Sequence, residues 1–152
     1  MNKDDVKSAR KFAVAAHGSQ TYGTNNPYVY HLDKVAKVCL RYGGKIDDLV
    51  ICYLHDVLED TNVPAAQIEN QFGNLITKIV MLLSNTESKK NTYERIRSSS
   101  KAVFIKLCDR IANVEEGGKV DMYKKQYPLF RSVLYRKGEY ESMWRHLDGL
   151  LL

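Results

Sequence analysis

Residues 53–61 read Tyr-Leu-His-Asp-Val-Leu-Glu-Asp-Thr, and they place four ionisable side chains at the end of an apolar run. Across residues 49–58, only His55 and Asp56 interrupt a segment that is apolar on every face of a helix. Such a pattern is typical of a helix buried in the centre of a domain. The fold should therefore be built around this helix.

On that helix His55 lies one turn before Glu59, and Asp56 lies one turn before Asp60, so the four polar groups converge on a small volume. Burying unpaired carboxylates is costly, and a bound metal cation compensates three of them most simply. Alternatively, His55 makes an ordinary hydrogen bond in the core and the acids reach solvent at the helix C-terminus. The metal interpretation is favoured because a helix C-terminus repels carboxylates.

The chain has 152 residues, of which 27% are charged and 44% hydrophobic, as in ordinary globular proteins. This length predicts one domain over residues 1–152 that buries a substantial core and leaves no room for a second catalytic domain.

The net charge of +5 favours an anionic ligand. The basic residues are scattered, with Lys-Lys pairs at 89–90 and 124–125, and the second pair is equally compatible with a solvated helix face. We therefore expect a basic pocket for a small nucleotide as the partner, rather than a nucleic-acid groove or a membrane surface. The sequence carries no signal for an oligomeric state.

Cys39, Cys52 and Cys108 lie far apart in apolar sequence, without the spacing of a disulfide framework. The polar N-terminus does not resemble a signal peptide, and no apolar run approaches the ~18 residues of a membrane span. These features predict a cytoplasmic protein.

Helical periodicity recurs along the chain, and no segment shows the alternation of a strand. Residues 18–30 and 84–91 are rich in polar and turn-forming residues and are predicted to be loops, the second of them mobile. The sequence thus predicts an all-α bundle of about seven to eight helices, at 4–17, 31–42, 47–58, 64–72, 74–83, 101–116, 120–136 and 139–151.

Three motifs resemble a known family. An adjacent His-Asp pair on a buried helix is similar to that of the HD metal-dependent phosphohydrolases, and the extended motif from His55 to Thr61 resembles the hydrolase domain of the RelA/SpoT alarmone enzymes. Residues 27–31, Pro-Tyr-Val-Tyr-His, resemble the Pro-Tyr-x-x-His segment of those hydrolases, although Leu32 replaces the usual following proline. Residues 106–113 resemble their Lys-Leu-Ala-Asp-Arg-x-x-Asn element.

The resemblance implies a divalent metal held by His31, His55, Asp56 and Asp109. This ligand set suits Mn²⁺, Fe²⁺ or Zn²⁺, and the family suggests Mn²⁺. The ion would activate a bound water for attack on phosphorus. Glu59 and Asp60, one turn beyond, would orient that water and move protons as catalytic residues.

The implied reaction is hydrolysis of the 3′-pyrophosphate of (p)ppGpp or a close analogue. Asn113 is then expected to contact the substrate. Tyr22 stands where many alarmone hydrolases carry a cation, and it either stacks on the base or is an exposed loop residue. Glu116 replaces a small hydroxyl residue of the family and adds negative charge, which Arg136 is expected to compensate.

Two other functions remain open. One is a general HD-type nucleotidase or phosphatase acting on a nucleoside monophosphate or NADPH, which releases orthophosphate instead of pyrophosphate. The other is a non-catalytic nucleotide or metal sensor, which the presence of both Glu59 and Asp60 disfavours because a sensor does not need a proton-transfer pair.

Overall fold

The structure is a computed structural model that describes residues 1–85 and 88–152. Within these residues the chain forms nine helices of eight or more residues, one single helical turn and one short hairpin. The elements are α1 (Lys3–His17), β1 (Thr21–Tyr22), β2 (Asn26–Pro27), α2 (Val29–Arg41), α3 (Ile46–Leu54), the turn α4 (Val57–Asp60), α5 (Ala65–Phe72), α6 (Asn74–Leu83), α7 (Lys89–Arg97), α8 (Ser100–Glu116), α9 (Val120–Leu134) and α10 (Glu141–Leu151).

Helices α3 and α8 form the centre of the bundle. Seven of the nine residues of α3 and eleven of the seventeen residues of α8 are buried, so neither helix has a solvent face of ordinary width. Helices α1 and α2 pack on α3, α2 also packs on α8, and α6 contacts both central helices. The apolar runs in the sequence therefore lie where they were predicted, and the fold is dominated by helices.

Helix α8 begins and ends at local signals that the sequence shows. The Ser99 hydroxyl accepts a hydrogen bond from the N–H of Ala102, as an N-cap does. At the other end Gly117 has φ of +89°, a left-handed conformation that a side chain would strain. These caps fix the length of α8 and hence the positions of the polar side chains along it.

The predicted helix over 47–58 is not continuous, which corrects the prediction. Helix α3 ends at Leu54, and Asp56 has φ of −102° and ψ of −1°, before the chain resumes helical geometry in α4. The Nδ1 atom of His55 lies 2.6 Å from the carbonyl oxygen of Cys52, which in a continuous helix accepts the N–H of Asp56. The side chain of His55 thus competes with the helical ladder where the two site residues lie.

Two predicted loops contain regular structure. Residues 21–22 and 26–27 pair as an antiparallel hairpin within the predicted loop 18–30. The predicted mobile loop 84–91 lies partly outside the described residues, because 86 and 87 are not described, and α7 already begins at Lys89. Helix α7 escaped prediction because it is mostly polar and buries only Thr92, Tyr93 and Ile96. Among the described helices, none is both long and apolar enough to cross a bilayer.

Candidate active site

Four side chains from separate parts of the chain converge at the centre of the bundle. His31 comes from the first turn of α2, His55 and Asp56 from the break between α3 and α4, and Asp109 from the middle of α8. One potential ligand atom from each lies within 4.8 Å of the others. These are the four residues that the resemblance to the HD phosphohydrolases implied as metal ligands.

The distances within this group are short. The Asp109 Oδ1 atom lies 2.9 Å from His31 Nε2 and 3.2 Å from His55 Nε2. The Asp56 Oδ2 atom lies 3.1 Å from His55 Nε2 and 3.9 Å from His31 Nε2. Two carboxylates and two imidazoles are therefore packed against one another.

The hydrogen bonds of His55 show that this donor set suits a cation. Its Nδ1 donates to the Cys52 carbonyl, so in the neutral ring Nε2 carries the lone pair. That lone pair faces the oxygens of Asp56 and Asp109, an unfavourable arrangement unless the ring is protonated or a cation lies between. Two imidazole nitrogens and two carboxylate oxygens form a ligand set that Mn²⁺, Fe²⁺ and Zn²⁺ all accept.

The electrostatics of the metal-free group follow from the same contacts. Burial opposes a charge on His55, but the carboxylates of Asp56 and Asp109 prevail and raise the pKa of the ring well above its usual value. Burial likewise opposes ionisation of Asp109, but His55 and His31 hold the pKa of this carboxyl well below its usual range. Without a cation, a proton on His55 offsets part of the charge of the two carboxylates.

Each aspartate is also held by neighbours outside the ligand set. The Tyr28 hydroxyl donates to Asp56 Oδ2 over 2.5 Å. The Asn113 amide donates to Asp109 Oδ1 over 3.2 Å, and the Lys106 ammonium lies 3.5 Å from Asp109 Oδ2. Such contacts orient metal-binding carboxylates and keep them ionised.

A cavity of about 370 Å³ opens on this group. The Tyr22 ring forms part of its wall, stacks on His31 at 4.6 Å between centroids, and donates its hydroxyl to Asn113 Oδ1 over 2.7 Å. Burial raises the pKa of Tyr22 to about 12, so the hydroxyl remains a donor at neutral pH. The cavity is lined by Thr21, Tyr22, Gly23, Tyr28, His31, Asp56, Glu59, Lys106, Asp109, Asn113, Glu116, Gly118, Lys119 and Tyr123.

Glu59 and Asp60 point to different surroundings. Glu59 lines the cavity, accepts a hydrogen bond from the N–H of Asn85, and has its pKa raised by partial burial and by nearby Asp56. Asp60 does not line the cavity; it accepts a hydrogen bond from Gln20 over 3.1 Å. The Gln20 Oε1 atom in turn accepts a hydrogen bond from Nδ1 of the His17 ring over 2.8 Å. Of these two acids, Glu59 therefore lines the cavity and Asp60 does not.

Arg136 lies away from the cavity, near the opposite end of α8. Its carbonyl accepts from the N–H of Glu139, whose carboxylate accepts from Ser100 at the first position of α8. Asn113 is thirteen residues further along the helix, about 20 Å at the usual rise. The charge of Glu116 is compensated by Lys34 instead, whose ammonium contacts Glu116 Oε2.

Sequence reasoning did not select several residues that line the site. Lys106 could have been found, because it precedes Asp109 by three positions and shares its helix face. Tyr28 belongs to the Pro-Tyr segment that was compared with the alarmone hydrolases. Lys119 and Tyr123, by contrast, follow the Gly117–Gly118 break and carry no local signal for the cavity.

Comparison with known proteins agrees with this architecture. The model of the HD domain family matches residues 9–126. The chain is 31% identical over 122 residues to the guanosine-3′,5′-bis(diphosphate) 3′-pyrophosphohydrolase MESH1 of Xenopus tropicalis, covering 73% of this chain and 68% of that protein. It is 28% identical over 122 residues to the guanosine-3′,5′-bis(diphosphate) 3′-pyrophosphohydrolase of Aquifex aeolicus, covering 74% of this chain but only 18% of that longer protein.

Solved structures share the fold. A metazoan orthologue of SpoT, reported to hydrolyse ppGpp, superposes with a TM-score of 0.82 at 20% identity, over 99% of this chain and 95% of that chain. A Listeria monocytogenes protein superposes with a TM-score of 0.65 at 20% identity, over 87% of this chain and 99% of that chain. The family match covers most of the chain, including all four residues of the candidate metal site, and confirms the resemblance inferred from the motifs. The chain belongs to the HD domain family.

Proposed function

We propose that the chain is a metal-dependent phosphohydrolase that cleaves the 3′-pyrophosphate of (p)ppGpp or a close analogue. The observation that carries this proposal is the convergence of His31, His55, Asp56 and Asp109 beside a cavity with cationic and aromatic walls. All of the four except His55 line that cavity. The names of the Xenopus and Aquifex relatives, both 3′-pyrophosphohydrolases, support the choice of substrate.

The four converging side chains are the proposed metal ligands, with Mn²⁺ as the proposed ion. A divalent cation bound there would supply Lewis-acid chemistry, acidifying a nearby water and polarising a phosphoryl oxygen. Tyr28 and Lys106 hold the two aspartates in orientations that keep their oxygens directed at the shared centre. His55 is held as the correct tautomer by the Cys52 carbonyl.

Glu59 and Asp60 are proposed to manage the protons of hydrolysis. Water attacks the phosphorus attached to the ribose 3′ oxygen, the bond from that oxygen to phosphorus breaks, and pyrophosphate departs. The water loses a proton and the 3′ oxygen gains one. Glu59 faces the cavity with a raised pKa, which suits a carboxylate that accepts and returns a proton. Asp60, joined to Gln20, is proposed to assist from the next position.

Asn113 and Tyr22 are proposed to contact the nucleotide from the cavity wall. They are hydrogen-bonded to each other, and Asn113 also bonds Asp109, so a substrate contact there is linked to the metal site. Lys106 and Lys119 supply positive charge to the same cavity, which suits a phosphorylated ligand. Arg136 is left out of the proposed contacts because it lies beside the start of α8.

We further propose that residues 1–152 act as one domain in the cytoplasm. Beyond the family match, the second half of α9 contributes Phe130, and α10 contributes Trp144 and Leu147, to the same hydrophobic core. Cys39, Cys52 and Cys108 are unpaired and buried, as is common in a reducing compartment.

The test is incubation of the purified protein with Mn²⁺ and a panel of nucleotides, followed by chromatographic separation of the products. The proposal predicts conversion of guanosine 3′,5′-bis(diphosphate) to guanosine 5′-diphosphate and pyrophosphate. Release of orthophosphate from nucleoside monophosphates or NADPH, with no pyrophosphate from the alarmone, would support the general phosphatase instead. Binding of nucleotides without any turnover would support the sensor.

A further inference from the structure

Three polar side chains follow one face of α8 along the wall of the cavity. Asp109, Asn113 and Glu116 are separated by four and three residues, a spacing that keeps them on one side of a helix. All three line the cavity. The helical rise places the backbone of Glu116 about 10 Å from that of Asp109. Glu116 therefore lines the cavity about two helical turns from Asp109, a distance suited to the length of a nucleoside.

The Glu116 carboxylate is held in place from behind. The Tyr30 hydroxyl lies 3.1 Å from its Oε1 and 3.2 Å from its Oε2, and the Lys34 ammonium contacts Oε2. Lys34 also lies over the Tyr30 ring, 4.6 Å from its centroid. The Glu116 side chain is nevertheless 25% exposed, and Glu116 lines the cavity. A carboxylate fixed by partners on one side is preorganised to bind a ligand on the other.

The charge state of Glu116 determines which ligand groups it can bind. The hydrogen bond from Lys34 lowers the pKa of Glu116, so the group is an ionised carboxylate at neutral pH. An ionised carboxylate only accepts hydrogen bonds, and it has about four lone-pair sites. The Lys34 ammonium balances its charge, which limits repulsion of a phosphorylated ligand.

We infer that Glu116 selects the nucleobase by accepting hydrogen bonds from the N1–H and the N2 amino group of guanine. This inference rests on the proposed function, because it assumes that the phosphate lies at the metal end of the cavity. Guanine presents two adjacent donors on this edge, whereas adenine presents the N1 acceptor beside its amino group. When the N1 atom of adenine lies against an oxygen of the Glu116 carboxylate, two acceptors face each other and neither has a donor. This penalises the binding of adenine.

The test compares the 3′,5′-bis(diphosphates) of guanosine, inosine and adenosine as substrates, with kcat and KM measured for each. The wild-type protein is expected to prefer guanosine over adenosine by at least about tenfold in kcat/KM, and inosine, which lacks the N2 amino group, should fall between them. In E116Q, one acceptor and one donor replace two acceptors, and this pair matches the edge of adenine. The preference for guanosine should fall by about tenfold or more, mainly through KM.

The matched control is E115Q. Glu115 bonds Arg41 and His146 and does not line the cavity, so the base preference of E115Q should equal that of the wild type. An unchanged guanosine-to-adenosine ratio in folded E116Q, or equal use of guanosine and inosine by the wild type, would overturn the inference and leave the proposed function standing. No hydrolysis of any of the three nucleotides would instead overturn the proposed function. The inosine comparison needs no variant and therefore stands even if E116Q does not fold.

Discussion

The Nδ1 atom of His55 lies 2.6 Å from the carbonyl oxygen of Cys52, three residues earlier in the chain. This bond ends α3 and at the same time directs Nε2 at Asp56 and Asp109. One local contact therefore shapes both the backbone and the candidate metal centre.

Metal uptake is predicted to release a proton. The two neighbouring carboxylates raise the pKa of His55 in the metal-free protein, so its ring is protonated at neutral pH, whereas a ligand ring must be neutral. Binding of Mn²⁺ should release about one proton and become weaker as the pH falls. Calorimetry in two buffers of different ionisation enthalpy measures this directly. Equal binding enthalpies in the two buffers would contradict the prediction.

The substitution D109N is predicted to abolish tight Mn²⁺ binding and to lower hydrolysis by at least about a hundredfold. Asp109 Oδ1 contacts both histidines and the Asn113 amide, so an uncharged amide cannot replace it. Metal titration and product assays report the two effects separately. D148N serves as the control and should bind metal normally. Asp148 lies in α10, and its carboxylate accepts hydrogen bonds from Tyr127 and Arg131 of α9.

The substitution Y28F is predicted to weaken metal binding about tenfold while the protein stays folded. It removes only the hydroxyl that donates to Asp56 and keeps the ring that stacks on His17. Mn²⁺ affinity and the circular dichroism spectrum should be measured together. Unchanged affinity would show that the Tyr28 hydroxyl does not position Asp56.

The substitution E59Q is predicted to lower kcat by about 10²- to 10⁴-fold and to leave Mn²⁺ binding nearly unchanged. Glu59 lines the cavity but is not among the four converging ligand residues. Asp60 bonds Gln20 and does not line the cavity. D60N should therefore be measured alone and together with E59Q, so that the contributions of the two acids are separated. If the double variant retains wild-type turnover, the proton-transfer roles proposed for both residues are wrong.

Acid should destabilise the contact between α9 and α10. Partial burial acts to raise the pKa of Asp148, but hydrogen bonds from Arg131 and Tyr127 outweigh it and lower the pKa below the usual value. A lowered folded-state pKa gives stability that is present above the unfolded-state pKa and is lost as the pH falls through the folded-state pKa. D148N should cost roughly 1 kcal/mol at neutral pH and less in acid, as urea unfolding at several pH values measures. An equal cost at every pH would contradict this.

The central helices and the metal residues could be predicted because their signals are local. The apolar runs of α3 and α8 and the motifs around His31, His55 and Asp109 are visible within short stretches of sequence. The interruption of the helix at His55 could not be predicted, since it depends on a side chain that binds a backbone carbonyl.

The residue that balances the charge of Glu116 could not be predicted from the sequence either. Lys34 lies 82 residues away in the chain, and only the packing of α2 on α8 brings the two side chains together. Arg136 is nearer to Glu116 in the sequence, but its carbonyl bonds Glu139, and the Glu139 carboxylate bonds Ser100 at the far end of α8. Helix α7 was missed for a related reason, since its polar residues hide the few side chains that it buries.

The most direct test of the central claim is anomalous diffraction at the manganese edge from crystals grown with Mn²⁺. The account predicts one strong peak within coordination distance of His31, His55, Asp56 and Asp109, and loss of that peak in D109N. A protein that binds no ion at these four side chains, or binds it only elsewhere, would contradict the claim.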